Sequence, residues 1–212
     1  MAERALRAAI VATARQMNVC GLNRGKSGNV SARCDEGFLI TPSGMAYTST
    51  RPQDIVAMSL DGEARGALQP SSEWPFHRAI YASRAEVGAV VHAHASFAIT
   101  LSCLGRDIPA FHYMVAVAGG NNIRCAAYAT FGSEELAQYA LAALEGRKAC
   151  LLANHGMIAL GCSLEAALAL AVEVEALCEQ YWRALQIGTP NLLSDAEMER
   201  VLAKFATYGQ PH

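Results

Sequence analysis

The sequence has no C-x-x-C pair, no run of like charges, no Pro/Gly/Ser-rich linker and no long uncharged apolar stretch. Each absence removes a class of protein. The seven cysteines, Cys20, Cys34, Cys103, Cys125, Cys150, Cys162 and Cys178, are scattered and odd in number. That pattern argues against a disulfide framework and for a reducing compartment, where most of them serve as small core residues. Basic residues form no stripe and the net charge is −2, so the electrostatic footprint of a nucleic-acid binder is missing. The most apolar long stretch, residues 164–177, carries Glu165, Glu173 and Glu175. It is too short and too charged to span a bilayer. The opening Met-Ala-Glu-Arg passes straight into a helical pattern without an apolar leader. No G-x-G-x-x-G follows the first strand, which speaks against a dinucleotide site, and no G-x-S-x-G supports serine hydrolysis. The expectation is a soluble cytoplasmic protein with neither nucleic acid nor membrane as partner. With no linker or repeat to divide them, the 212 residues read as one domain, 1–212.

What is present is a regular succession of strand and helix patterns. Residues 3–18 place Leu6, Ile10, Val11 and Ala14 at helical spacing. Residues 29–34 and 37–41 read as a hairpin turning at Asp35-Glu36-Gly37, and 55–60 with 63–67 as another around Asp61-Gly62. Ser71-Ser72 reads as the cap of a helix running to Ser83, with Pro75 tolerated in its first turn. Residues 87–92 form an apolar strand, then a short helix to Leu101 and a short strand at 123–126. Ser133 opens a helix to Leu144, and residues 149–153 and 157–160 pair around Asn154-His155-Gly156. Ser163 and Ser194 cap two further helices, to Gln186 and Thr207. Strands cluster early in hairpins and helices are interspersed later. The pattern predicts an α/β layered domain whose largely antiparallel sheet is covered by helices on both faces.

One segment carries the strongest chemical signal. In Val90-Val91-His92-Ala93-His94, two imidazoles sit two positions apart in an apolar run. On a strand both rings project from the same face. That makes a clamp for a divalent metal, which takes imidazole nitrogens at roughly 2.0–2.1 Å. A pair of hydrogen-bonded core or surface histidines is the plain alternative. His155, at the end of another apolar run, and Glu73, at the mouth of a helix, complete a plausible four-ligand set for zinc or a similar first-row metal. Three further segments share a different chemistry: residues 25–29, residues 41–44 and Ser71-Ser72. Each offers small residues, hydroxyls or an amide, with approachable backbone N–H groups that can cradle a phosphate. Arg24 or Lys26 would add charge. Each segment is also readable as a mere turn or cap. His77 reads as a solvated or hydrogen-bonded helix side chain, and Trp74 and Trp182 as packing residues.

Taken together, Gly28-Asn29-Val30-Ser31, Thr41-Pro42-Ser43-Gly44, Pro70-Ser71-Ser72-Glu73, His92-Ala93-His94 and Asn154-His155-Gly156 resemble the class II aldolase/adducin family. The likeness continues through residues 108–114, 118–121, 128–132 and 204–209, and so covers nearly the whole chain. It implies a three-layer αβα sandwich with a central, mostly antiparallel sheet. It implies a zinc ion, or another divalent first-row metal, held by Glu73, His92, His94 and His155. It implies a substrate phosphate site built from Gly28, Asn29, Ser43, Gly44, Ser71 and Ser72. It further implies a homotetramer with sites at subunit interfaces, in which Tyr113 acts in a neighbour's site. Related 4-epimerases carry Asp where this chain has Glu73, which favours the aldolase branch.

The implied reaction is reversible retro-aldol cleavage of a ketose 1-phosphate to dihydroxyacetone phosphate and a short aldehyde. Glu73 and Tyr113 would be the catalytic groups. L-fuculose 1-phosphate, 5-deoxyribulose 1-phosphate and methylthioribulose 1-phosphate all fit as substrates. Phe131 and Tyr208 are candidates for the aldehyde wall, with ordinary aromatic packing as the alternative for each. Two other functions remain open at this stage. They are sugar-phosphate 4-epimerisation or dehydration on the same scaffold, and a non-enzymatic adducin-like interaction module.

Overall fold

The central strands are buried on both faces, and alternate side chains sort the core into two layers, one on each face of a single sheet. The structure, a computed structural model, describes residues 3–207. Its strands are β1 (Asn29–Cys34), β2 (Gly37–Ile40), β3 (Val56–Met58), β4 (Ala64–Arg65), β5 (Ala89–Ala93), β6 (Arg124–Ala126), β7 (Ala149–Leu152) and β8 (Gly156–Gly161). They form one eight-stranded sheet in the order β4-β3-β2-β1-β5-β8-β7-β6. Every pairing is antiparallel except β6 with β7. The expected sheet is therefore present, and its central strands β1, β5 and β8 are the ones that carry chemistry.

The helices are α1 (Glu3–Val19), α2 (Trp74–Ser83), α3 (Ser96–Ser102), α4 (Glu134–Leu144), α5 (Leu164–Ile187) and α6 (Asp195–Phe205). Val91 and Ala93 of β5 and Met157 and Ala159 of β8 join α1, α3 and α5 in one core layer. Val90 of β5 and Ile158 and Leu160 of β8 face α2 and α4 in the other. One face thus carries α1, α3 and α5, and the opposite face carries α2 and α4, which is the three-layer arrangement. Ser133, Ser163 and Ser194 each accept a hydrogen bond from the backbone N–H three residues on, so these caps form where the sequence placed them.

Two local readings change. The second hairpin is shorter than its sequence suggests, since β4 is only two residues at the sheet edge and both are exposed. With no layer above it, nothing rewards extending that edge. Helix α2 begins at Trp74, with Glu73 rather than Ser71 or Ser72 at the cap position. The Ser71 hydroxyl reaches only as far as the Glu73 N–H, at 3.4 Å. Glu73 makes no side-chain cap because its carboxylate is drawn away from the helix and onto the sheet.

Candidate functional site

Four side chains from three segments of the sequence meet at the end of β5. Glu73 stands at the start of α2, His92 lies inside β5, His94 just past its end, and His155 in the turn joining β7 to β8. One ligand atom from each lies within 4.8 Å of all the others. The His-x-His spacing works as expected, since both rings fall on the side of the strand that Val90 also faces. His155 arrives because residues 153–155 close a tight hairpin in which Asn154 adopts a left-handed conformation, φ 55°. Asparagine tolerates that region better than most residues. Gly156 then lets β8 run close to β5, where a Cβ would sit 2.4 Å from the Ala93 carbonyl.

The electrostatics of this cluster favour a cation. Glu73 Oε2 lies 3.0 Å from His92 Nε2, and Glu73 Oε1 lies 3.0 Å from His155 Nε2. His94 Nε2 is 3.0 Å from His92 Nε2. His92 Nδ1 is 2.9 Å from the Met157 carbonyl, which can only accept, so that nitrogen carries the proton. The Nε2 lone pair of neutral His92 therefore points at a carboxylate oxygen, and only a proton or a metal ion resolves that contact. Glu73 Oε1 is buried and has no hydrogen-bond donor among the described residues. Burial alone would raise the Glu73 carboxyl, but the charge on His92 and the close imidazoles outweigh it and hold it well below the usual range. Burial alone would lower His92, yet the Glu73 carboxylate raises it. Burial and the neighbouring charges of His92 and His155 push His94 down to about 4. An orphaned carboxylate oxygen among converging imidazole nitrogens fits a divalent ion, which these four residues could hold.

A polar shell behind the cluster was not read as a unit from the sequence. Asn29 Nδ2 donates to Glu73 Oε2 at 2.9 Å, and Asn29 Oδ1 meets His77 Nε2. His77 Nδ1 lies 2.7 Å from the Ser31 hydroxyl, which lies 2.8 Å from the Tyr81 hydroxyl. His77 and Ser31 are completely buried. Of the two readings offered for His77, the hydrogen-bonded one holds and the solvated one does not. A signal existed. Glu73, His77 and Tyr81 recur every four residues along α2, while Asn29 and Ser31 alternate along β1, so two polar stripes face each other. Asn23 was also missed; its side-chain oxygen accepts from the His94 backbone N–H at 2.8 Å.

The cluster opens onto a cavity of about 380 Å³, lined by Glu73, His94 and His155. All six residues of the expected phosphate set line the same cavity: Gly28, Asn29, Ser43, Gly44, Ser71 and Ser72. The two serine-bearing turns are tied together, with Ser43 N–H donating to Gln69 O and Ser71 N–H to Thr41 O, each at 3.0 Å. Gly28 is held at φ +72°, where a Cβ would strike the His92 carbonyl at 2.5 Å. Lys26 and Phe131 also border the space, together with Tyr128, which the sequence reading passed over. Phe131 is exposed, so it is not a core aromatic.

Tyr113 is not part of this constellation. It begins a 3-10 turn spanning Tyr113–Ala118, is half exposed, and borders a separate cavity with Phe111 and Leu193. Tyr208 lies outside the described residues. Trp182 packs on Phe97, and Trp74 lies under the Arg78 guanidinium. No helix among the described residues is long and apolar enough to cross a membrane.

Comparison with known proteins gives the family. The model of the "Class II Aldolase and Adducin N-terminal domain" matches residues 8–182. The chain is 62% identical over 205 residues to a 5-methylthioribulose-1-phosphate/5-deoxyribulose-1-phosphate aldolase of Rhodospirillum rubrum, covering 97% of this chain and 93% of that protein. It is 49% identical over 201 residues to an L-fuculose phosphate aldolase of Escherichia coli, covering 94% of each. Among solved structures, an L-fuculose 1-phosphate aldolase superimposes with a TM-score of 0.91 at 39% identity, covering 95% of this chain and 96% of that one. The chain is a lyase that belongs to the class II aldolase and adducin family.

Proposed function

We propose that this chain is a zinc-dependent cytoplasmic aldolase that reversibly cleaves 5-methylthioribulose 1-phosphate or 5-deoxyribulose 1-phosphate. The products are dihydroxyacetone phosphate and a short aldehyde. One observation carries the reading: Glu73, His92, His94 and His155 converge on a cavity that Ser43, Gly44, Ser71 and Ser72 also line. Three imidazoles and a carboxylate make a four-ligand zinc set. The substrate choice rests on the greater identity to the protein named for these ketoses than to that named for fuculose phosphate. The exposed aromatics Tyr128 and Phe131 beside the cavity suit an apolar substituent at C5.

Glu73, His92, His94 and His155 would hold the divalent ion, which would supply Lewis acidity for the charge that develops beside the carbonyl. The two serine turns and the Gly28–Asn29 segment hold the phosphate and set the distance from C1 to the metal ligands. Glu73 is the only carboxylate among the described residues that line the cavity, and so is the group placed to carry the proton exchanged at C3. The C4 hydroxyl proton goes to Tyr113, the C3–C4 bond breaks, C4 leaves as the aldehyde, and the electron pair passes to C3. The half-exposed phenol of Tyr113 does not line its own subunit's cavity, which supports its acting across an interface in a homotetramer of single-domain subunits.

A substrate panel tests the reading. Purified protein is assayed with the methylthio, 5-deoxy and fuculose ketose 1-phosphates, with coupled detection of dihydroxyacetone phosphate. Higher kcat/KM for the two 5-deoxypentulose phosphates is expected. An epimer or a dehydrated product without the triose phosphate would reject cleavage.

A further inference from the structure

The shell behind Glu73 has a property that its separate contacts do not show: its polarity is fixed from one end. An ionised carboxylate only accepts hydrogen bonds, so the group of Asn29 facing Glu73 must be its NH2, as the 2.9 Å contact has it. The Asn29 oxygen then faces His77 and requires a proton on His77 Nε2. Burial keeps His77 neutral, so its Nδ1 is an acceptor and the Ser31 hydroxyl donates to it. Ser31 Oγ, having spent its proton, accepts from the Tyr81 hydroxyl. All the donors point one way, from Tyr81 through Ser31, His77 and Asn29 to Glu73.

We propose that Tyr81, Ser31, His77 and Asn29 form a one-way buried hydrogen-bond chain that holds the Glu73 carboxylate in register with the metal-binding imidazoles. They are positioning residues; none but Asn29 borders the cavity. The decisive member is His77. Asparagine can rotate its amide, and the rotated form would set Oδ1 against Glu73 Oε2, acceptor against acceptor. His77 Nε2–H forbids that rotation. Ser31 and Tyr81 in turn complement the His77 tautomer that Asn29 imposes, by supplying the hydroxyl donor that Nδ1 accepts. The architecture supports the role, since the contacts join adjacent elements through regular geometry. Asn29 stands opposite His92 in the β1–β5 register, and Glu73 at the cap of α2 is followed at four-residue steps by His77 and Tyr81 within it. A core of this size does not otherwise require four polar side chains in its middle, because each must be satisfied to avoid a desolvation penalty.

This inference rests on the metal-site reading above, and its test separates the two. Chelated wild-type protein, His77→Leu, His77→Gln, Ser31→Ala and Tyr81→Phe are titrated with cobalt(II), followed by its visible spectrum and by chelator competition. Thermal midpoints and kcat are measured alongside. The glutamine amide nitrogen can replace Nε2 as donor to Asn29, and leucine cannot. His77→Leu should weaken cobalt binding by about 10- to 100-fold and alter the visible band. His77→Gln should return to within about threefold of wild type, and Ser31→Ala should fall between them. His77→Gln resembling His77→Leu would overturn the chain. So would cobalt affinity and spectrum unchanged in Ser31→Ala and Tyr81→Phe, even if His77→Leu does not fold. Wild-type protein that binds no cobalt would overturn the metal-site reading and the chain with it; wild-type binding with unaltered variants would overturn the chain alone.

Discussion

Acid should destabilise this protein in part through His77, and the size of that contribution follows from its burial. Its ring is completely enclosed, and burial together with the charge of His92 pushes it down to about 3. In the unfolded chain the same imidazole titrates near 6.5. The folded value of this base is depressed, so the contribution is negligible above about pH 6.5 and turns unfavourable as pH falls below it. At pH 5 the unfolded state binds a proton that the folded state refuses. With RT ln(1 + 10^1.5), this costs about 2 kcal/mol relative to pH 7. The loss would continue to grow until the folded ring itself titrates. Urea unfolding of chelated wild type and His77→Gln at pH 7 and pH 5 reads the effect directly. Glu73, His92 and His94 are present in both proteins, so their titrations cancel to first order. Wild type should lose about 2 kcal/mol more than the variant, a difference of about 1 M in urea midpoint. Equal losses would mean that folded His77 already carries a second proton at pH 5. Nδ1 would then be a donor, and the direction assigned to the hydrogen bond between Ser31 and His77 would be wrong.

Three other outcomes follow from the geometry. Glu73→Gln keeps a hydrogen-bonding group against Asn29 and removes a buried charge. The chelated protein should stay folded, but zinc affinity should drop by at least about a hundredfold, from a loss on the order of 3–5 kcal/mol; chelator competition measures this. In Gly132→Ala, the new Cβ would meet the Ser72 carbonyl at 2.6 Å from a backbone held at φ +76°. That should cost about 1–3 kcal/mol in a denaturant titration and raise KM for the phosphorylated ketose more than it lowers kcat. Tyr113→Phe should slow cleavage while leaving proton exchange on dihydroxyacetone phosphate largely intact. Exchange falling in step with cleavage, followed by NMR in deuterated water, would remove Tyr113 from the aldehyde side.

The legible portions of this molecule are those set by local rules. Ser133, Ser163 and Ser194 cap helices through contacts three residues away, and the 29–41 hairpin turns where Asp35-Glu36-Gly37 demands it. His92 and His94 share a face because strand geometry leaves no alternative. The grouping of Glu73 with the three histidines could be suspected from residue type and family resemblance, but periodicity alone could not bring α2, β5 and the β7–β8 turn together. The least legible element was the interior of α2. His77 in an exposed helix would be ordinary; it acquires meaning only when β1 lays Asn29 and Ser31 beneath it. The Ser71-Ser72 cap was misplaced for a related reason. A rule for local capping cannot see that Glu73 has a stronger attachment to imidazoles far away in sequence. Tyr113 illustrates the opposite limit, since it borders a cavity separate from the one that the Glu73–histidine cluster opens onto.

The central claim is metal-dependent carbon–carbon cleavage, and product release from one substrate tests it most directly. Chelated protein is mixed with 5-methylthioribulose 1-phosphate, and dihydroxyacetone phosphate is followed before and after a stoichiometric addition of zinc. The account predicts no triose phosphate from the chelated protein and steady release once zinc is restored. Equal rates in both states, or substrate consumed without triose phosphate, would contradict it.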